Sequence, residues 1–290
     1  MRPLSELKQD FEVSRNLGDI IDVLKTAALI QFRSFQFKEK PSENFINQTE
    51  NSLNILSEQG LAHPCLIDRA NLPSCIVIVT SDEGFLGELT NLLINSGIEQ
   101  RKSDQDQIIV FGQQGQRYLE ELNMEFLFFP GIPYDINYKH AYDRAGYLLQ
   151  QYLRNYGRLY VVYPKFVSLS LQRVTTVQLL PHKPFVSDSM RQSGGAKPKI
   201  SKEEMLIEPS IDNVLAGLIN LYMGYKLFEI AWSAKQSEYA ARIMHLEGST
   251  QELSQLNQKL SFEYFRQIHS LRDKVIREIS ASKILLGKRR

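Results

Sequence analysis

The sequence predicts an α/β protein in which a small central α/β layer is carried between two long terminal helices. Those helices pair as an antiparallel coiled coil. Three observations point there. Residues 210–290 contain no proline, so nothing forces a helix to stop. Residues 74–180 alternate β-branched runs with helical stretches, the pattern of a mainly parallel sheet with right-handed crossovers. The only other long helical pattern lies at the opposite end of the chain, over residues 4–57.

The C-terminal stretch dominates. If residues 210–290 were all helical, the rod would reach about 120 Å at about 1.5 Å per residue. Leu253, Leu256, Leu260, Tyr264, Leu271 and Val275 fall at spacings of three, four or seven, which predicts a coiled-coil seam. A rod that long cannot bury itself against one small domain, so it needs a partner helix.

In chain order, Leu4, Leu7, Phe11, Leu17, Ile20 or Ile21, Leu24, Ala28 and Phe35 trace one face of the first helix. Ser14 and Gly18 interrupt the stripe. Pro41 is expected to break or kink it, with a shorter helix over residues 44–59 ending at Gly60. Strands are expected over residues 74–80, 106–111, 125–129, 158–164 and 171–180. Between them, helices are expected from the 81–87 turn to near Gly97, over 116–122, and over 138–155. Residues 181–209 read as a polar, glycine-containing linker, with capping-box spacing at Ser201 and Glu204. The domains are therefore 1–60, 61–209 and 210–290.

Composition excludes several classes. Lys and Arg total 34 against 33 Asp and Glu, which argues against a general nucleic-acid binder. Cys65 and Cys75 match neither a metal clip nor a redox pair and read as free buried thiols. The five histidines are scattered, so no zinc site is expected. No apolar run approaches the length needed to cross a bilayer, and residues 1–8 lack the apolar core of a signal peptide. The chain is expected to be soluble and cytoplasmic.

Two turns sit where α/β folds often bind phosphate. Residues 80–87 (Thr-Ser-Asp-Glu-Gly-Phe-Leu-Gly) follow a strand and open a helix, but Asp82, Glu83 and Glu88 would repel an anion. Residues 112–117 (Gly-Gln-Gln-Gly-Gln-Arg) lack the lysine and Ser/Thr of a phosphate loop. Gly84, Gly87, Gly112 and Gly115 are therefore read as structural turn residues. No spacing suggests a nucleophile elbow or a paired acid and base, so no catalytic residue and no cofactor are expected. In residues 232–244, Glu238 and Arg242 stand four apart and can pair along one helical face. By itself that is an ordinary packed helix. The basic tail, Lys288-Arg289-Arg290, reads as a solvated helix end favoured by the helix dipole.

At residues 237–244, Ser-Glu-Tyr-Ala-Ala-Arg-Ile-Met, the chain resembles the gamma subunit of F-type ATP synthases. Ser249-Thr250, the 80–87 turn, residues 111–115, residues 178–181 and residues 207–210 fall in that family's order. Departures are visible. Gln31 stands where the family carries lysine, Glu88 replaces a glycine, and Gln113-Gln114 replaces a lysine-containing pair. The family's C-terminal Arg-Gln has two candidates, Arg266-Gln267 and Arg272-Asp273. Helix geometry favours the second, because a four-residue shift turns the face by only about 40° while a two-residue shift turns it by about 200°.

The resemblance implies a central Rossmann-like α/β domain and a non-catalytic rotor shaft. That shaft would couple ATP synthesis or hydrolysis on an alpha/beta ring to proton or sodium movement. The implied partners are the alpha and beta subunits, the epsilon subunit and the membrane c-ring, with no nucleic acid. The implied location is peripheral, on the cytoplasmic side of the inner membrane. Ring contacts are implied at Glu238, Arg242, Thr250, Arg266, Gln267, Arg272 and Asp273. Two alternatives stay open: a coiled-coil adaptor derived from this family, and a small-molecule-binding α/β enzyme.

Overall fold

The computed structural model describes residues 3–38, 40–58, 63–182, 208 and 210–287. The elements are α1 (Leu4–Gln36), α2 (Glu43–Glu58), β1 (Ser74–Val79), α3 (Leu89–Gln100), β2 (Gln107–Phe111), α4 (Gln113–Glu121), β3 (Leu127–Phe129), α5 (Tyr138–Asn155), β4 (Arg158–Ser168), β5 (Leu171–Leu180) and α6 (Ile211–Gly287). Most of the expected linker, with its Ser201 cap, lies outside the described residues, as do Gly60 and the basic tail. The chain divides into two compact units, Phe32–Ala241 and Met1–Gln31 with Arg242–Arg290.

In the first unit, five strands form one sheet in the order β3-β2-β1-β4-β5. β1 pairs in parallel with β2 and β4, and β2 in parallel with β3. β5 runs antiparallel to β4. All six residues of β1 are buried, which is why its sequence is a continuous β-branched run rather than an alternation. Ile76, Ile78, Ile108 and Val110 pack with Leu89, Leu93 and Ile94 of α3 and Leu119 of α4. Ala241 of α6 belongs to the same cluster.

α4 starts three residues earlier and β3 two residues later than expected, and three further boundaries differ for a physical reason. α1 stops at Gln36, before Pro41. After Phe35 the chain has nothing further to bury on that face, and Lys38 instead donates to Tyr134 O and Asp135 Oδ1, both at 2.8 Å. α3 runs three residues past Gly97. That glycine does not end the helix; a Cβ there would lie 2.3 Å from Ile78 Cδ1, so it lets α3 lie close against β1. β4 continues through Pro164 to Ser168 as one arm of a hairpin with β5.

α6 carries an 18-residue window of mean hydropathy 1.2, long and apolar enough by composition to cross a membrane. The expectation that no run approaches that length was too strong. Its apolar residues have another use: Leu215, Ile219, Tyr222, Met223, Leu227 and Phe228 are buried. Aromatic pairs fill the joint, with Phe45 and Tyr225 centroids 4.2 Å apart and Tyr138 and Tyr225 4.3 Å apart. Lys226 lies 3.3 Å from Glu50 and 3.0 Å from Glu229. Burial alone would lower its pKa, but Glu229 and Glu50 raise it above the ordinary lysine value.

In the second unit, α1 pairs with α6. Lys25 Nζ stands 3.0 Å from Glu247 Oε2, and a Cβ on Gly18 would meet Leu253 Cδ2 at 3.3 Å. Residue numbers fall on α1 as they rise on α6, so the pair is antiparallel. Its buried face is Leu4, Leu7, Ser14, Gly18, Ile21, Lys25 and Ala28 against Ile243, Leu246, Thr250, Leu253, Asn257, Leu260 and Tyr264. α6 keeps alternating steps of three and four, as a coiled-coil seam requires, and α1 does so but for one step of seven past the exposed Phe11. Several expected seam residues lie outside it: Leu17, Ile20 and Leu24 on α1, and Leu256, Leu271 and Val275 on α6, are exposed.

Candidate functional site

The turns that follow β1, β2 and β3 meet at the carboxyl ends of the parallel strands, where open α/β sheets commonly bind ligands. Here the chain bonds to itself. Thr80 Oγ1 donates to Phe111 O at 2.7 Å and accepts from Gly115 N at 3.1 Å. Asp82 supplies the anion. Its carboxylate accepts from Gln113 N at 3.0 Å and from Gly131 N at 3.1 Å. Gln113 is the first residue of α4, so this carboxylate sits at a helix N-terminus, where phosphate would otherwise be favoured. The sequence suggests that Asp82 repels an anion; in the structure it also takes an anion's place.

Glycines shape this cluster unequally. Gly112 has φ +104° and its missing Cβ would lie 2.7 Å from Thr80, so both backbone and space require glycine there. A Cβ on Gly115 would meet Thr80 Oγ1 at 2.5 Å. Gly87 has φ +58°, but Gly84 has no positive φ, and a Cβ there would meet Gln114 Nε2 at an ordinary 3.9 Å. The other left-handed residue of that loop is Phe85, at φ +64°.

The second locus is the stretch of α6 around residues 233–242. Ser237 Oγ donates to Pro164 O at 2.9 Å, and Ser233 Oγ accepts from Phe166 N at 3.0 Å. Four residues apart, these serines share one face of α6 and fasten it to β4. Lys235 Nζ lies 3.0 Å from both oxygens of Glu238 and over the Tyr239 ring at 5.2 Å. Ring packing closes the site: Phe35 stands 4.3 Å from Trp232 and 5.8 Å from Tyr239. Lys235, Ser233 and Ser237 were not among the expected site residues. Their cue, a serine four residues from another and a lysine three before a glutamate, is too common to stand out.

The seven expected contact residues divide by exposure. Glu238 and Arg242 are buried, at 6% and 5%. Thr250 is half-buried and its hydroxyl donates back to Leu246 O at 3.0 Å. Gln267 is half-buried, while Arg266, Arg272 and Asp273 are exposed. Residues 269–281 of α6 are exposed without a break, including the apolar Leu271, Val275, Ile276 and Ile279. Counting along the pair from Gly18 and Leu253, Leu4 of α1 comes level with Gln267. A groove of about 710 Å³ runs along one flank of the pair, between Phe11, Gly18 and Asp19 on α1 and Leu253, Asn257 and Phe265 on α6.

Cys65 and Cys75 are free and buried. Burial pushes both thiols up to about 12, which leaves them protonated and unreactive near neutral pH.

A family model described as ATP synthase matches residues 3–277. The chain belongs to the ATP synthase gamma family. It is 22% identical over 277 residues to the ATP synthase gamma chain of Desulforudis audaxviator, covering 92% of this chain and 93% of that one. It is 26% identical over 269 residues to the gamma chain of Rhodopirellula baltica, covering 87% and 88%. Among solved structures it resembles a chain of the Euglena gracilis mitochondrial ATP synthase (OSCP, F1 and c-ring) with a TM-score of 0.70, at 14% identity over 98% of this chain and 94% of that one. It also resembles a chain of the Euglena gracilis rotor, with a TM-score of 0.62, 15% identity and coverage of 92% and 98%. The buried strands, the filled loop cluster and the long paired helix are thus the fold of a non-catalytic gamma subunit in a membrane-associated ATP synthase.

Proposed function

We propose that α6 and α1 form a shaft turning inside a ring of alternating alpha and beta subunits, and that the α/β unit contacts an epsilon subunit and the membrane c-ring. The observation that carries this reading is the exposure of α6 over residues 269–281. Residues 269–281 are exposed without a break and carry four large aliphatic side chains. An exposed helix stretch of that composition calls for an apolar socket in a partner.

Coupling then follows from differential contact, because a shaft biases the ring only if it binds the ring's states unequally. Arg266, Arg272 and Asp273 offer exposed charges for such contacts, with Thr250 and Gln267 on the flank. Glu238 and Arg242 are buried, so we assign them to shaping the helix that presents the others. The working location is the cytoplasmic face of the membrane that holds the c-ring.

Co-expression with the host's alpha and beta subunits, purified through a tag on beta, tests the proposal. One copy of the chain per three beta subunits and sustained ATPase turnover are expected. Elution of the chain alone, while alpha and beta assemble with another gamma subunit, would overturn it in favour of an adaptor.

A further inference from the structure

The paired helices of the second unit carry polar residues where a coiled coil usually carries apolar ones. Two contacts give the axial register: Lys25 with Glu247 at 3.0 Å, and Gly18 against Leu253. Antiparallel helices advance in opposite directions. Four residues from the second contact, Ser14 therefore comes level with Asn257. Seven residues the other way, Lys25 comes level with Leu246, beside Glu247. Ser14 Oγ and Asn257 Oδ1 are both buried with no hydrogen-bond partner among the described residues. The remaining levels are bland: Leu7 with Tyr264, Phe11 with Leu260, Ile21 with Thr250, Ala28 with Ile243.

An all-leucine seam looks the same after a slip of one heptad, so within the second unit, away from the Phe35 ring contacts, apolar packing alone leaves axial register open. We propose that Ser14, Lys25, Glu247 and Asn257 set the register of α1 against α6. A one-heptad slip in one direction brings Lys25 level with Leu253 and Asn257 level with Ile21. A slip in the other direction brings Asn257 level with Leu7 and moves Lys25 a full heptad from Glu247. Either slip buries an amide against aliphatic carbon and separates the lysine from its carboxylate, both of which are unfavourable. Only the observed register puts the buried serine hydroxyl and asparagine carbonyl at one level. These are positioning residues, and the inference concerns how the chain closes on itself, whatever ring it enters.

Cysteine cross-linking on the full-length chain reads the register directly. The native pair is Gly18→Cys with Leu253→Cys. The slipped pairs are Gly18→Cys with Leu260→Cys and Gly18→Cys with Leu246→Cys. Cys65 and Cys75 are buried protonated thiols and stay out of the reaction. After oxidation with diamide, the otherwise unaltered chain is expected to yield the native link alone.

With Ser14, Lys25, Glu247 and Asn257 all changed to Leu, slipped links should appear beside it. Lys25→Glu, which sets two carboxylates side by side, should weaken the native link, and adding Glu247→Lys should restore it. A native link alone in the four-leucine chain, or one unmoved by Lys25→Glu, would overturn the proposal. Slipped links in the otherwise unaltered chain would do the same. Because the links form within one chain, their pattern is read whether or not the chain assembles with alpha and beta subunits.

Discussion

The two units of this chain solve the burial problem in opposite ways. The α/β unit closes a core in which Ile76, Ile78, Leu93, Ile94, Ile108 and Leu119 are all at most 1% exposed, and its loops satisfy one another. The helical pair has a seam one residue wide per turn, polar at several levels, with apolar side chains left outside. A closed core stores its stability in itself. A two-helix seam with an exposed apolar flank has surface still to bury, so its stability depends on a partner.

That contrast predicts a graded response to mutation. The largest loss falls in the closed core. Ile78→Ala is expected to cost about 3 kcal/mol, from lost transfer energy and a cavity between β1 and α3. A urea midpoint that barely moves would mean that this core is looser than its burial implies. Next comes the loop cluster. Asp82→Ala removes the acceptor of two backbone N–H groups and should cost about 2 kcal/mol, again read by urea unfolding, without creating any new activity.

A third effect appears only at high pH. Both thiols keep their protons in the folded chain up to about pH 12, while an unfolded thiol loses its proton near pH 8.5–9. Between those values the unfolded chain binds fewer protons, so stability falls as pH rises, by about 1.4 kcal/mol per pH unit for each thiol. Stability measured from pH 8 to 11 should decline less steeply in Cys75→Ala than in the parent chain. Equal slopes would show that Cys75 ionises in the fold. The smallest effect is in the helical pair. Leu256→Ala, on the exposed flank, should change the isolated chain by less than about 0.5 kcal/mol. A larger loss would show that this flank is already covered.

The same contrast explains which parts of the fold could be read from sequence. The central strand was legible because a strand covered on both faces favours a continuous apolar, β-branched run, and residues 76–79 are one. The existence of two long helices was legible from periodicity and the absence of proline. The seam was legible only in part: Leu4, Leu7, Ala28, Leu253, Leu260 and Tyr264 were read onto it, but its polar members and Gly18 were not. Ser14, Gly18, Lys25, Thr250 and Asn257 lie on it and are polar or small, whereas Leu17, Ile20, Leu24 and Leu256 lie beside it and are apolar. A count of hydrophobic spacings follows the second set, because composition does not say which stripe faces a helix of the same chain and which awaits another.

Gly97 misled for a related reason. A glycine at a helix end and a glycine at a close helix–strand contact look identical in sequence. Asp82 was noticed for its charge, but its role depends on three loops that only the sheet order brings together. Glu238 was noticed for its spacing to Arg242, while the lysine that clasps it went unremarked.

The fastening of α6 to β4 has a mechanical consequence. Ser233 and Ser237 hold the helix to neighbouring residues of one strand, one through a strand N–H and the other through a carbonyl. For α6 to spin about its own axis against the sheet, both bonds must break together and the packing of Trp232 and Tyr239 against Phe35 must shear. A torque applied to the sheet is therefore delivered to the helix at two points about 6 Å apart along its axis, as a key locks a wheel to its axle.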